Sequence, residues 1–316
     1  MAKMRAIVVN ETGGPEVLKL REVERPVPIP SEVLIRVRAV GLNPIEAFIR
    51  SGAFPPGQGA AIEPPFIPGW DVSGIVEAVV PGVTRFQVGD EVFGMPFFPR
   101  AANAYAEYVV APSRQIARKP RGLDFPQAAA LPLAGLTAWQ ALVDAAGVKP
   151  GQRVLVHAAA GGVGHLAVQI AKARGAYVVA TASARKHDFV GTLGADQLID
   201  YEAVDFTKAT GDLDVVLELV GRDYGRRSIE VLRPGGLLIT AVERLNQALK
   251  QDAEAAGRKF MGITVEPDGP GLEALARLVD EGKLRVHVEQ AFPLAEAPRA
   301  HAALTGSRTG KLVLLV

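Results

Sequence analysis

The residues whose types and spacing speak most directly of chemistry are Ala158-Ala159-Ala160-Gly161-Gly162-Val163-Gly164. An apolar run, Val154-Leu155-Val156, leads into them through His157. A helical pattern follows, with Val163, Leu166, Ala167, Ile170 and Ala171 at i, i+3, i+4, i+7 and i+8 on one face. Small residues let the chain turn sharply and let a ligand approach the backbone. The first N–H groups of a helix have no partner within it, and the helix dipole makes that end positive. A diphosphate is the group such a turn suits. The spacing Ala-x-x-Gly-Gly-x-Gly, read from Ala158, is a variant of the glycine fingerprint of dinucleotide-binding turns. Ala160, Gly161, Gly162, Val163 and Gly164 are therefore candidate cofactor contacts.

The residues after the next apolar run choose the dinucleotide. Val178-Val179-Ala180-Thr181 reads as a second strand. The acid that normally follows it, to hold the ribose hydroxyls of NAD, is absent. The chain continues Ala182-Ser183-Ala184-Arg185-Lys186. A hydroxyl at Ser183 and cations at Arg185 and Lys186 suit a 2′-phosphate, which an acid would repel. The expected cofactor is NADPH.

A single glycine turn is often only a turn, so the elements around it matter. From about residue 125 apolar strands are expected at 153–157, 177–181, 197–199, 214–219, 236–241 and 259–264. Helices are expected between them at 162–174, 184–193, 222–232 and 245–256, and a further one at 271–281. This alternation implies parallel βαβ units and a Rossmann-type, doubly wound sheet. The earlier chain has another texture. Of the 23 prolines, 17 lie in residues 1–132. Short β-like runs at 6–9, 33–40, 73–79, 91–93 and 105–110 alternate with turn clusters. The tail returns to strand-like runs at 285–288 and 311–316 around a short helix near 295–304. Too short for a core of its own, it is expected to pack back on the first part. The expected class is α/β, with a mostly β domain over 1–124 completed by 284–316, and a dinucleotide-binding domain over 125–283.

Composition narrows the chemistry. Thirty-five basic and 34 acidic side chains leave a formal net charge of +1, which gives no reason to expect nucleic acid. The 316 residues contain no cysteine, so disulfides, thiolate nucleophiles, iron–sulfur clusters and sulfur-ligated zinc are excluded. The histidines at 157, 165, 187, 287 and 301 show no metal-ligand spacing. His157, on a core strand, reads as a satisfied buried histidine. No metal site is expected. Ser73 lacks the Gly-x-Ser-x-Gly elbow of a serine hydrolase. The four apolar residues 6–9 after the start are too few for a signal-peptide core, and the most apolar stretch, 128–143, is too short for a membrane span, so a soluble cytoplasmic protein is the expectation.

Many short motifs, in one order along nearly the whole chain, carry a resemblance. They include Gly41-Leu42-Asn43-Pro44-Ile45-Glu46, Ile49-Arg50-Ser51-Gly52 and Pro68-Gly69-Trp70-Asp71-Val72-Ser73-Gly74. Val88-Gly89-Asp90-Glu91-Val92-Phe93-Gly94, Ala104-Tyr105-Ala106-Glu107-Tyr108, Leu136-Thr137-Ala138-Trp139 and the terminal Gly310-Lys311-Leu312-Val313-Leu314 complete them. With the glycine turn, they make the chain resemble the zinc-free quinone oxidoreductase (zeta-crystallin-like) branch of the medium-chain dehydrogenase/reductase superfamily.

That resemblance implies a GroES-like catalytic domain, a Rossmann cofactor domain and a cleft between them. It implies that Ser183, Lys186 and Tyr201 lie near the 2′-phosphate, and that Val220 and the turn holding Ala241 and Val242 border the cofactor's riboses. Zinc-dependent members carry Gly-His-Glu where this chain has Gly69-Trp70-Asp71. The implied reaction is hydride addition from NADPH to a quinone or an α,β-unsaturated carbonyl compound. Asn43 and Thr137 match polar positions near the nicotinamide and substrate, beside plain turn and helix-start roles. Tyr105 is a candidate proton donor or a packing residue. Phe48 and Phe54 stand where some quinone reductases have tyrosines, and Trp70, Met95, Phe97 and Phe98 extend an apolar wall or pack the core. An apolar conjugated carbonyl substrate is expected, and a homodimer through the edge strand at 259–264. An enoyl-thioester reductase and a non-catalytic NADPH-binding protein remain alternatives.

Overall fold

The computed structural model describes residues 2–53 and 62–316. Its contacts divide the chain into two compact units. The first comprises Met1–Leu136, Glu266–Asp280 and Val286–Val316; the second comprises Thr137–Val265 and Glu281–Arg285.

Prolines and turn clusters cut the first unit into short strands. β1 (Lys3–Val9) and β2 (Leu18–Glu24) form a separate antiparallel ribbon. β3 (Glu32–Gly41) runs into helix α1 (Pro44–Ser51). β4 (Asp71–Val79), β5 (Glu91–Gly94), β6 (Tyr108–Pro112) and β7 (Ile116–Arg118) follow, and then helices α2 (Phe125–Ala130) and α3 (Pro132–Trp139). β2 was not expected. Its sequence, Leu-Lys-Leu-Arg-Glu-Val-Glu, is mostly charged because the strand pairs only with β1 and faces water.

The second unit is the alternating one. β8 (Arg153–Val156), β9 (Tyr177–Ala182), β10 (Gln197–Asp200), β11 (Leu213–Glu218), β12 (Leu232–Thr240) and β13 (Lys259–Gly262) are linked by α4 (Gly164–Ala173), α5 (His187–Thr192), α6 (Phe206–Ala209), α7 (Tyr224–Val231) and α8 (Gln247–Ala255). All the pairings are parallel, in the order β10-β9-β8-β11-β12-β13. This is the doubly wound nucleotide-binding order expected from the sequence. Val179, Leu155, Val216 and Leu238 lie in register across four neighbouring strands and are fully buried. Each sits mid-strand in an apolar run, which is why the sheet was legible.

The chain then returns to the first unit through α9 (Gly269–Asp280), β14 (Val288–Pro293), α10 (Ala297–Ala303) and β15 (Lys311–Leu315). Its sheet runs β14-β15-β3-β4-β5-β7, with β6 also on β3. The division differs from the expected one in three places, since residues 284 and 285 also fall in the second unit. Residues 125–136 join the first unit because α2 packs on β3, β4 and β15, and Ser73 Oγ donates to Phe125 O at 2.6 Å. Helix α9 also joins it, packed on β7 and tied by an ion pair between Arg85 and Glu273. The strand expected at 285–288 begins only at Val288. Arg285 is engaged elsewhere: its N–H donates to Gln169 Oε1 at 2.8 Å, and its carbonyl accepts from Gln169 Nε2 at 2.9 Å.

Among the described residues no helix is long and apolar enough to cross a membrane. Gln169 is buried in α4 and satisfies both backbone groups of Arg285. Gln169→Leu leaves them unpaired, and a loss of about 1–3 kcal/mol of unfolding free energy is expected in urea denaturation. An unchanged midpoint would contradict this account of the return segment.

Candidate functional site

The glycine turn occupies the carboxyl end of β8, the central strand at which the sheet order reverses. Ala158 turns the chain with φ +48°, a left-handed value few non-glycine residues adopt. The N–H of Gly161 donates back to Ala158 O at 2.9 Å. A Cβ on Gly164 would lie 2.2 Å from that same carbonyl oxygen, so only glycine lets α4 start this close to the strand. Val163 precedes the helix with no side-chain cap. The turn itself takes up part of the helix start, with the N–H of His165 donating to Gly161 O at 3.0 Å and that of Leu166 to Val163 O at 3.2 Å. His165 donates from Nδ1 to Gly161 O at 2.9 Å, which steadies the turn from the helix side.

β9 and β10 end together, since Ala182 pairs with Asp200. Ser183 and Tyr201, each the next residue, therefore stand side by side past the strand ends. Ser183 is 2% exposed, and its buried Oγ has no partner among the described residues. Tyr201 is exposed, as is Arg185, and Lys186 is half-buried. A buried hydroxyl without a partner beside a phenol and two cations fits a phosphate oxygen.

β11 ends at a residue that sequence reasoning missed. Glu218 is fully buried. Its Oε1 accepts from the N–H groups of Val220 at 2.5 Å and Gly221 at 2.6 Å, and its Oε2 accepts from Thr240 Oγ1 at 2.8 Å. The signal was an acid inside the apolar run Val215-Val216-Leu217-Glu218-Leu219-Val220. Val220 and Val242 are exposed beyond it, with Ala241 half-buried between Thr240 and Val242. His157 is the satisfied buried histidine expected. Its ring bonds Thr181 Oγ1 at 3.0 Å and Ser228 Oγ at 3.1 Å, and burial pulls its pKa down to about 3.

In the first unit the structure brings Asn43 and Tyr105 together around Glu46. Asn43 caps α1, with its N–H donating to Glu46 Oε2 at 3.0 Å. Asn43 Nδ2 donates to Asp71 Oδ2 at 3.0 Å, and Asn43 Oδ1 accepts from Lys311 Nζ at 2.5 Å. Lys311 lies 3.6 Å from Asp71 Oδ2 and also donates to Leu42 O at 2.7 Å. The Tyr105 hydroxyl donates to Glu46 Oε2 at 2.6 Å and lies 3.0 Å from His301 Nε2. All six side chains are buried. A Cβ on Gly69 would come within 2.3 Å of the Tyr105 ring, so the glycine of Gly69-Trp70-Asp71 makes room for it. Thr137 lies apart from this cluster in sequence, buried on α3. That helix is nonetheless tied to the cluster, because the N–H of Leu133, one turn earlier, donates to Asp71 Oδ1 at 2.8 Å.

Glu46 also lines a small cavity with Ile49, Phe66, Ile67 and Trp70. The Trp70 indole donates to Arg100 O at 2.7 Å and meets Phe98 edge-on at 5.2 Å. Met95 and Phe98 are buried, Phe97 is half-buried and Phe48 is exposed; Phe54 lies outside the described residues. The residues do not fit zinc. The chain has no thiolate, Trp70 stands at the histidine position, and Asp71 already faces Lys311. Among the described residues no group of three His, Cys, Asp or Glu side chains is placed to hold a metal ion.

Burial raises the pKa of Glu46 from 4.5 to about 7, opposed by the bonds from Tyr105 and Asn43. Burial also raises Asp71 and lowers Lys311. Between pH 4.5 and 7 the folded protein holds a proton on Glu46 that the unfolded chain has lost, so this group costs stability as pH rises. His301 and His157, both lowered to about 3 by burial, act in the opposite direction between pH 3 and 6.5. The Glu46 contribution must therefore be read as a difference. From pH 4.5 to 8, Glu46→Gln is expected to gain up to about 3 kcal/mol relative to the unsubstituted protein in denaturant titrations. A pH-independent difference would refute the assignment.

A family model for the alcohol dehydrogenase GroES-like domain matches residues 29–121, and one for zinc-binding dehydrogenases matches residues 193–314. The human quinone oxidoreductase is 34% identical over 331 residues, covering 99% of this chain and 98% of its own. The structure of the quinone oxidoreductase from Coxiella burnetii superposes with a TM-score of 0.92 at 39% identity, covering both chains in full. The Escherichia coli quinone oxidoreductase complexed with NADPH does so at 0.83 and 31%, again over both full chains. A structure described as an NAD-dependent alcohol dehydrogenase scores 0.88 at 36% identity, covering 99% of this chain and 100% of its own. An oxidoreductase fold with a nicotinamide site, matched end to end by such relatives, places the chain in the quinone oxidoreductase family of the medium-chain dehydrogenase/reductase superfamily.

Proposed function

We propose that the protein is a zinc-independent, NADPH-dependent reductase of quinones or α,β-unsaturated carbonyl compounds. The observation that supports this reading is a dinucleotide-type glycine turn in a chain with no thiolate and, among the described residues, no His, Asp and Glu group placed to hold a metal ion. Without a metal to stabilise an alkoxide, oxidation of simple alcohols loses its usual support. Reduction of an already activated acceptor does not need one. When bound, NADPH supplies a hydride to the electron-poor carbon, and a proton completes the reduction.

The chain's own residues bind and orient. The backbone at Ala160 to Gly164 and the start of α4 hold the diphosphate. Ser183, Arg185, Lys186 and Tyr201 meet the 2′-phosphate, and Val220, Ala241 and Val242 border the riboses. The NADPH complex of the Escherichia coli relative supports this choice; the NAD-dependent relative is why it needs its own test. Asn43 and Tyr105, enclosed and engaged with Glu46, act as positioning residues, and Thr137 is the polar group nearest in role to the reacting centre. The outer edge of β13, where Met261 is exposed, is the proposed dimer contact.

The test is turnover of NADPH with a panel of quinones, enones, enoyl thioesters and simple alcohols, before and after a strong chelator. Chelator-resistant reduction of a quinone or enone is expected. Turnover of alcohols alone, or NADPH binding with no turnover at all, would sink the reading. Lys186→Ala is expected to weaken NADPH about tenfold or more, with little change for NADH, as suits loss of a charged hydrogen bond. Equal losses for both cofactors would exclude the 2′-phosphate assignment.

A further inference from the structure

The carboxyl ends of β11 and β12 are linked by a chain of hydrogen bonds that has no part in closing the sheet. Glu218 Oε1 takes the N–H groups of Val220 and Gly221, and Oε2 takes the hydroxyl of Thr240. The Thr240 oxygen in turn accepts from the N–H groups of Val242 at 3.2 Å and Glu243 at 3.1 Å. One carboxylate and one hydroxyl thus gather four backbone donors from two loops.

We propose that Glu218 and Thr240 are positioning residues for the cofactor, fixing these loops so that Val220 and Val242 form an apolar wall along its riboses. The inference rests on the NADPH reading above. The direction of the chain supports it. The single Thr240 proton goes to Glu218 Oε2, so the lone pairs of the hydroxyl are left for the second loop. Neither loop can shift without orphaning a buried group of the other. The loops also touch, since a Cβ on Gly221 would lie 3.1 Å from Val242 Cγ1. Beneath them everything polar is enclosed: Glu218 and Thr240 are 0% exposed, while Val220 is 37% and Val242 50% exposed. A buried carboxylate is a costly way to end a strand that an apolar residue would end as well. It is explained by what it holds: two valines at the strand ends, on the edge of the sheet where parallel α/β folds bind ligands.

The decisive variants are Thr240→Val, which removes the hydroxyl at nearly constant shape, Thr240→Ser, which keeps it, and Glu218→Gln, which places an amide donor in the chain. NADPH dissociation constants are read by nicotinamide fluorescence, with thermal melting recorded alongside. Thr240→Val and Glu218→Gln are expected to weaken NADPH about fivefold to twentyfold, the size of one or two lost hydrogen bonds. Thr240→Ser should stay within about twofold, and the Glu218→Gln/Thr240→Val double variant should be little worse than the weaker single one. Unchanged affinity in both Thr240→Val and Glu218→Gln, a Thr240→Ser loss equal to that of Thr240→Val, or additive losses would overturn the proposal. If Glu218→Gln does not fold, the valine and serine variants decide alone. An unsubstituted protein that binds no nicotinamide cofactor overturns the NADPH reading and this inference with it. One that binds, with unaffected variants, overturns only the inference.

Discussion

The first unit is organised around one unavoidable electrostatic problem: Asp71, Glu46 and Lys311 are all removed from water. Charged groups in such a place must find partners inside the protein, since each would otherwise carry several kcal/mol of uncompensated desolvation. The solution is Asn43. Its amide donates to Asp71 and accepts from Lys311, and its N–H serves Glu46. Four separate pieces of chain meet there: the end of β3, the start of β4, the last strand β15 and, through Leu133, the start of α3. A hydrophobic cluster would bring those pieces together in several packings. A hydrogen-bonded cluster accepts one, because each donor must face its own acceptor.

The second unit uses the same device on a smaller scale. Backbone N–H groups and one threonine satisfy Glu218, with no ion pair to it among the described residues. Both clusters sit at the ends of strands, where regular pairing stops and loops would otherwise drift. The core mid-strand is apolar and sets the sheet. The buried acids at the ends set where the chain goes next.

What the sequence revealed follows from this division. The glycine turn was legible because its signals are local: an apolar run, small residues and an amphipathic helix lie within about twenty positions. The parallel sheet was legible for the same reason. Glu218 was not singled out, because its hydroxyl partner at Thr240 comes from another strand and its other partners are backbone groups that carry no sequence mark. Lys311 was read only as part of the terminal motif, and only the fold puts it beside Asp71. β2 was hidden by its charge, and the segment before β14 was misread because Arg285 bonds a glutamine on α4 rather than a strand.

Asn43 and Tyr105 were singled out as polar residues in motifs, and the fold qualifies that signal. Their hydrogen-bonding groups are already engaged inside the unit, with Tyr105 held against Glu46 and His301. A group so engaged reaches a reactant only by giving up a buried partner, which costs about 1–3 kcal/mol for each orphaned donor or acceptor. Holding α1, β4 and α3 in fixed positions carries no such cost. The absence of cysteine bears on the same point. With no thiolate in the chain, the acids of this centre are met by an asparagine, a tyrosine and a lysine. The rigidity that follows holds α1, β4 and α3 in one arrangement around Glu46, because each donor of the cluster has its own acceptor.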